Sequence, residues 1–241
     1  MMTNQQSRTR IDEIAAGIYR ISTPLPPGAV PGGFAFNQYL VVDDEPLLFH
    51  TGFRSMFAHT REAIETVIPI AGLRHVAFSH FESDECGALN ELLAVAPQAR
   101  PLCGTINAML NTDAFDRPPR TLRDGERLSL GAHAVQWFDT PHLPHAWECG
   151  YLFEQHTRTL LCGDLFTRGG DDHPPLTDTD ILGPSEAFRR GMDYYAHAKN
   201  AGALLDRLAA TQPATLACMH GSAWQGDGAT LLRALGASLE Q

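Results

Sequence analysis

The sequence lacks the features that mark membrane, secreted and nucleic-acid-binding proteins. No run approaches the roughly 20 apolar residues that a membrane-spanning helix needs. The N-terminal stretch MMTNQQSRTRIDEIAAG is polar and has no apolar signal-peptide core, so the expected location is the cytoplasm. Acidic residues outnumber basic ones by 28 to 18, and the formal charge is −10. Nucleic acid and an anionic membrane surface are therefore not expected as partners.

Cysteine is scarce and its spacing is not that of a cross-linked protein. The five cysteines stand at positions 86, 103, 149, 162 and 218, which is an odd number, and no CxxC pair occurs. This pattern argues against a disulfide framework and against a structural zinc ribbon. No internal repeat with a period of 20 to 50 residues is visible either.

The chain is long enough to bury a full core, and its apolar pattern alternates between strand and helix periods. We expect one domain over residues 1–241, of which residues 1 to about 10 form a frayed tail. The pattern predicts strands at 17–23, 36–42, 45–52, 74–80, 99–104, 134–140, 150–155, 159–166 and 215–220. It predicts helices at 56–68, 84–97, from 105, within 185–210 and at 229–240, with Ser83 or Asp84 as the N-cap of the second. The expected class is α/β, a four-layer αβ/βα sandwich.

Metal-binding side chains follow four of the predicted strands. They occur in the segments SHFESDECG (His80, Glu82, Asp84), TPHLPH (His142, His145), CGDLF (Asp164) and CMHGSAW (His220). Loops at strand ends are where a rigid scaffold holds reactive groups. Several carboxylates buried close together would be costly without a compensating cation, so we expect these segments to hold metal. A carboxylate that bridges two ions would place them about 3.5–4 Å apart.

These segments resemble the metallo-β-lactamase superfamily over nearly the whole chain. SHFESDECG is similar to the HxHxDHxG signature of that superfamily, with Glu82 in place of the second histidine and Glu85 in place of the third. HxExD is typical of the flavodiiron branch and of its relatives, the oxygen-binding di-iron proteins. His145 lies 19 positions before Asp164, a spacing typical of the same branch, and MHGSAW resembles its closing His-Gly. His50 stands where the superfamily often has an aspartate.

The resemblance implies a metallo-β-lactamase fold and a binuclear metal site. His80, Glu82 and His145 would hold one ion, Asp84 and His220 the second, and Asp164 would bridge them. Because Glu82 adds an anionic oxygen ligand, which favours iron or manganese over zinc, we expect iron, with manganese and zinc as the alternatives. The implied function is binding or reduction of O2 or NO. About 20 residues follow His220 without a flavin-binding stretch, so we expect a separate flavoprotein or rubredoxin-like electron donor, and a homodimer is expected from the branch.

Three alternatives stay open at this level. His142 is either a ligand in place of His145 or a neighbour that supports the ligands. Glu85 either binds the second metal or only begins a helix, where an acidic side chain suits the helix dipole. The chain is either a di-iron protein or a metal-dependent hydrolase of an ester, thioester or lactone that uses a bridging hydroxide. A binding or signalling module with a purely structural metal site is a weaker hypothesis, because none of the expected ligands is replaced by an apolar residue.

Overall fold

In the computed structural model, which describes residues 1–240, two β-sheets stack face to face. Gln241, the last residue of the predicted domain, lies outside the described residues. The first sheet has eight strands in chain order: β1 (Met2–Asn4), β2 (Thr9–Ala15), β3 (Ile18–Pro24), β4 (Ala35–Val41), β5 (Leu47–Phe49), β6 (His75–Ala77), β7 (Arg100–Gly104) and β8 (Arg120–Leu122). Strands β1 to β5 pair antiparallel, and β5 to β8 pair parallel.

The second sheet has seven strands and a less regular order. They are β9 (Arg127–Ser129), β10 (Ala134–Asp139), β11 (Gly150–Glu154), β12 (Thr159–Leu161), β13 (Leu176–Thr177), β14 (Thr215–Ala217) and β15 (Ala223–Gln225). Their spatial order is β13-β15-β14-β12-β11-β10-β9. Strands β12 and β14 run parallel, so the loops that follow them leave the same edge of the sheet.

Helices cover the outer face of each sheet. They are α1 (Phe57–Glu65), α2 (Ser83–Cys86), α3 (Leu89–Val95), α4 (Thr105–Asn111), α5 (Leu182–Met192), α6 (Ala201–Ala209) and α7 (Gly228–Leu239), with short 3₁₀ turns at Arg54–Met56, Ile70–Gly72 and Thr112–Ala114. Leu47 and Phe49 join the core between the sheets, whereas Leu48 joins the core under the helices. This alternation follows from the two-residue period of a strand. The resulting layers confirm the predicted αβ/βα sandwich.

The prediction of a frayed N-terminal tail was wrong. Residues Met2–Asn4 and Thr9–Ala15 form the edge of the first sheet, and Thr9 is fully buried. The hydroxyl groups of Thr9 and Thr23 lie 3.0 Å apart across the paired strands β2 and β3. Because threonine takes the inward position that an apolar residue usually occupies, the sequence shows no clear two-residue apolar alternation there.

The helix predicted over 84–97 is two helices, α2 and α3, and its predicted N-cap was wrong. The N-cap of α2 is Glu82, in extended conformation and without a side-chain capping bond. The helix breaks because the amide of Ala88 donates to Gly52 O at 3.1 Å and Thr51 Oγ1 at 3.0 Å instead of continuing the helical ladder. Strands β13 and β15 were not predicted. Within residues 1–240, no helix has the length and apolarity that crossing a membrane requires.

Candidate metal centre

Loops from both sheets meet at one edge of the sandwich and bring the predicted metal-binding side chains together. His80 and Glu82 follow strand β6, and Asp84 lies in the first turn of α2. His145 follows β10, Asp164 follows β12 and His220 follows β14. The structure thus gathers all six side chains that the sequence proposes as ligands: His80, Glu82, Asp84, His145, Asp164 and His220.

One half of the cluster contains two imidazoles and a carboxylate. His80 Nε2 lies 2.9 Å from His145 Nε2, with the two rings nearly perpendicular. His145 Nε2 lies 3.0 Å from Glu82 Oε1, and His80 Nε2 lies 3.6 Å from the same oxygen. Four-coordinate or larger metal sites are built from donor atoms that converge in this way.

The second half of the cluster shares Asp164 with the first. Its Oδ2 lies 3.6 Å from His80 Nε2 and 3.7 Å from His145 Nε2, whereas its Oδ1 lies 3.4 Å from His220 Nε2. His220 Nε2 is also 3.7 Å from Asp84 Oδ2. Asp164 therefore presents one oxygen to each half of the cluster, which is the orientation that a bridging carboxylate needs.

Backbone carbonyls fix the tautomers of two of these histidines. His145 Nδ1 donates to Tyr194 O at 2.9 Å, and His220 Nδ1 donates to Ala35 O at 3.0 Å. A carbonyl can only accept, so each Nδ1 carries a hydrogen. In the neutral rings each Nε2 then offers a lone pair to the cluster. Such outer partners are typical of metal-binding histidines.

The polar atoms of the cluster fit a bound cation. Both carboxylate oxygens of Glu85 and Oδ1 of Asp164 are buried and have no hydrogen-bond partner. Glu85 is fully buried, within reach of His80 on one side and of Asp84 and His220 on the other. Unpaired buried carboxylates are costly, and a pair of cations would offset them. The donor set of imidazole and carboxylate suits iron, manganese or zinc.

The carboxylates and imidazoles of the cluster shift one another's pKa values. Burial and the neighbouring Asp164 raise the pKa of Glu85 well above its usual value. In their protonated forms, His145 and His80 can donate to Glu82 and lower its pKa to about 2. Burial would raise the pKa of Asp164, but the surrounding imidazoles, His220 foremost, hold it below its usual value. Burial opposes protonation of His80, yet the charge of Glu85 and its other neighbours raise its pKa.

The structure distinguishes between the alternative roles that the sequence left open for Glu85 and His142. Glu85 begins a helix, in the first turn of α2, and its carboxylate also lies in the cluster. His142 is exposed and lines a different cavity of about 320 Å³ together with Arg189 and Tyr195. In the described part of the chain, the cluster contains His145 and not His142. Sequence reasoning did not single out Tyr194, whose backbone oxygen orients His145, because a carbonyl contact leaves no side-chain signal.

A groove of about 640 Å³ opens beside the cluster. Phe81, Phe115, Arg54 and Glu91 line it, and Glu82, which is about half exposed, forms part of its wall. On the other side, the rings of Phe34 and Phe36 pack against His220 at centroid distances of 4.4 and 5.2 Å. The cluster is thus open to solvent at Glu82 and covered by apolar rings at His220.

Comparison with known proteins assigns the chain to a family. The profile described as "ODP family beta lactamase" matches residues 34–221, which include every side chain of the cluster. The chain belongs to this ODP family. Family members and their relatives carry the metallo-β-lactamase fold that the sequence predicts, and the homologues of this chain are flavodiiron proteins.

Among curated relatives of this ODP-family chain, the type A flavoprotein fprA of Rhodobacter capsulatus is 29% identical over 171 residues, 68% of this chain and 38% of that protein. The rubredoxin-oxygen oxidoreductase of Megalodesulfovibrio gigas is 26% identical over 176 residues, 70% of this chain and 42% of that protein. The anaerobic nitric oxide reductase flavorubredoxin of Salmonella arizonae is 24% identical over 170 residues, 68% of this chain and 35% of that protein. The chain therefore spans less than half of the length of each.

Solved structures share the fold. The rubredoxin oxygen:oxidoreductase from Desulfovibrio gigas aligns with a TM-score of 0.81 at 22% identity, covering 96% of this chain and 62% of that one. A fragment, residues 1–254, of the putative diflavin flavoprotein A 5 from Nostoc sp. PCC 7120 aligns with a TM-score of 0.82 at 18% identity. That alignment covers 96% of this chain and 95% of the fragment. At these identities the likeness supports the fold alone.

Proposed function

We propose that this chain is a binuclear non-haem metal protein, with iron as the favoured metal, that binds or reduces O2 or NO. The observation that carries the proposal is the convergence of seven side chains around unpartnered buried carboxylate oxygens, with Asp164 facing both halves of the cluster. A pair of ferrous ions would supply two electrons and open coordination positions for a diatomic ligand. The ODP-family assignment and the names of the oxygen and nitric oxide reductase relatives support it.

The ligand assignment follows the two halves of the cluster. We propose that His80, Glu82 and His145 hold one ion and that Asp84 and His220 hold the other, with Asp164 between them. Glu85 lies within reach of both halves and is a further candidate ligand for either. This set contains four carboxylates and three imidazoles.

The donor atoms favour iron over zinc. Hard, anionic oxygen ligands stabilise iron in its higher oxidation state, whereas zinc gains little from them. Cys86 Sγ, which lies beside the cluster, donates to Glu82 O at 3.1 Å. Burial raises the pKa of Cys86 to about 12, so its thiol stays protonated and is a poor ligand at neutral pH. The alternatives are manganese and zinc, and metal analysis distinguishes them from iron.

The residues around the centre suit a small apolar ligand. Phe34 and Phe36 cover His220 and exclude water from that side of the cluster. Glu82 Oε1 lies 3.0 Å from His145 Nε2 and 3.6 Å from His80 Nε2, and the exposed part of this side chain faces the groove. O2 and NO need little room, so the apolar cover is compatible with their binding.

The electron donor and assembly follow from the relatives and are proposals. Two of the relatives described above carry rubredoxin in their names and a third is a flavoprotein, so we propose a flavoprotein or a rubredoxin-like protein as the source of electrons. We also propose a homodimer and a single domain over residues 1–241.

Metal analysis after anaerobic purification, combined with optical spectra before and after exposure to O2, tests the function. We expect about two iron ions per chain and a charge-transfer band that depends on O2. His145→Ala should reduce the metal content, whereas His142→Ala, a histidine three positions away outside the cluster, should not. Two zinc ions, no band and turnover of a chromogenic ester would instead support the hydrolase alternative.

A further inference from the structure

A line of four buried side chains runs from His80 away from the candidate metal centre. His80 Nδ1 lies 2.9 Å from Ser79 Oγ, and Ser79 Oγ lies 3.0 Å from His50 Nε2. His50 Nδ1 in turn lies 3.0 Å from Met219 Sδ. All four residues are fully buried, so water cannot replace any of these contacts without a rearrangement of the core.

His50 is held in an unusual conformation at the middle of this line. Its φ angle is +67°, in the left-handed region that residues other than glycine rarely adopt. The backbone amide of His50 donates to Ala77 O at 2.8 Å, and its ring stacks on Phe49 with centroids 4.2 Å apart. A buried residue kept in a strained conformation points to a role for its side chain.

The hydrogens along the line can be assigned in one direction. A His80 that binds metal through Nε2 carries its hydrogen on Nδ1 and donates it to Ser79 Oγ. The hydroxyl of Ser79 then donates to His50 Nε2. Burial lowers the pKa of His50 to about 3, so His50 is neutral and has a single ring hydrogen, on Nδ1. That hydrogen is aimed at Met219 Sδ, which can only accept.

We propose that Ser79, His50 and Met219 are positioning residues that hold His80 with its Nε2 lone pair aimed at the metal centre. The inference rests on the proposed metal centre. We call this line of contacts from His80 through Ser79 and His50 to Met219 the relay. Because Met219 precedes His220, the relay also connects the loop that carries His80 to the loop that carries His220. The relay is uncharged throughout, so it orients His80 without adding a negative charge behind the metal.

Nitrogen NMR of the histidine rings tests the direction of the relay. The protein is loaded with Zn²⁺, a diamagnetic probe, and the ¹⁵N shifts report which ring nitrogen carries the hydrogen. We expect His50 and His80 both as the Nδ1–H tautomer. Finding His50 as the Nε2–H tautomer would overturn the proposal, because Ser79 could not then donate to it.

Substitution of Ser79 tests the effect on metal binding. In competition with a chelator for Zn²⁺ and Fe²⁺, Ser79→Ala should weaken binding about 10- to 100-fold, the range seen for outer partners of metal-binding histidines. Ser79→Thr keeps the hydroxyl group, so its metal affinity should stay within about threefold of the wild type. If Ser79 only filled space, the larger threonine would not restore the affinity. Ser83→Ala removes an exposed serine at the start of α2, four positions further along, and is the matched control.

Met219→Leu tests the far end of the relay and keeps the volume of the buried side chain. It removes the sulfur acceptor, so the Nδ1–H form of His50 should lose population in the NMR spectrum. Equal affinity of Ser79→Ala and Ser83→Ala, or an unchanged His50 spectrum in Met219→Leu, would overturn the relay while leaving the metal centre intact. A wild-type protein that binds neither ion would overturn the metal centre and the relay together.

Discussion

His80 Nε2 and His145 Nε2 face each other at 2.9 Å, with their rings nearly perpendicular. His145 already donates its Nδ1 hydrogen to Tyr194 O, so its Nε2 is a lone pair when the ring is neutral. The contact is then satisfied either by a hydrogen on His80 Nε2 or by a cation that both nitrogens bind. This relation between residues 65 positions apart is the structural basis for a metal centre at this edge of the sandwich.

Removing one of the two facing imidazoles should reduce metal binding on one half of the cluster only. In His145→Ala we expect the metal content to fall from about two ions per chain towards one, since Asp84, Asp164 and His220 remain. His142→Ala should keep the wild-type content, because His142 is exposed and lies outside the cluster. Metal analysis of both variants, purified side by side, checks this. Equal losses in both would contradict the assignment of His145.

Glu82→His should change the metal preference. The substitution replaces an anionic oxygen donor by a neutral nitrogen and removes one negative charge from the cluster. We expect the ratio of bound zinc to iron to rise when both metals are supplied together, and the O2-dependent optical change to disappear. Glu91→Gln, at another acidic residue of the same groove, is a control for charge loss at the surface. Unchanged iron content and oxygen reactivity would refute the role given to Glu82.

Glu85→Gln should stabilise the metal-free protein and weaken the metal-loaded one. The folded-state pKa of Glu85 is raised above the unfolded value of about 4.3, because the charged form is buried, makes no hydrogen bond and lies beside the charge of Asp164. Glu85 therefore costs nothing below that value and destabilises the metal-free fold increasingly as pH rises through the folded pKa.

Denaturant unfolding of wild type and Glu85→Gln across the pH range checks this. The gain in the free energy of unfolding should be absent near pH 4 and grow to on the order of 1–3 kcal/mol at higher pH in the metal-free state. Metal affinity should move in the opposite direction. A gain that does not depend on pH would show that the Glu85 carboxylate is not the source.

Bound metal should raise the melting temperature by mass action, and Asp164→Asn should abolish most of the rise. At a free metal concentration about 100 times Kd, binding contributes about 2.7 kcal/mol, which corresponds to roughly 5–10 °C for a chain of this size. Asp206→Asn, on the exposed face of α6, should show the full shift. Calorimetric scans with and without Fe²⁺ under argon measure this rise in melting temperature. A full shift in Asp164→Asn would rule out Asp164 as the bridging residue.

Much of the site was predictable from the sequence because its residues follow strands. The resemblance of HxExD, His145, Asp164 and His220 to the flavodiiron branch implied one common metal site, and the structure brings these side chains together. The sandwich followed from the alternation of strand and helix patterns. The alternation of elements depends on local apolar periodicity, which a single sequence displays, whereas the choice of ligands came from the family resemblance.

The remaining features depend on tertiary contacts that a single sequence does not display. The N-terminal strand β2 has buried Thr9 where an apolar residue is usual, so its two-residue period is hidden. The break before α3 is caused by hydrogen bonds from Ala88 to residues 51 and 52, far away along the chain. The burial of Glu85 and the contact of His50 with Ser79 and Met219 likewise appear only when distant loops are packed together.

The most direct test of the metal centre is a crystal structure of the anaerobically purified protein with anomalous data collected on both sides of the iron edge. The account predicts two iron peaks about 3.5–4 Å apart, with Asp164 between them, His80 and His145 on one peak and His220 on the other. No anomalous peak in iron-replete protein, or a metal bound away from Asp164, would contradict it.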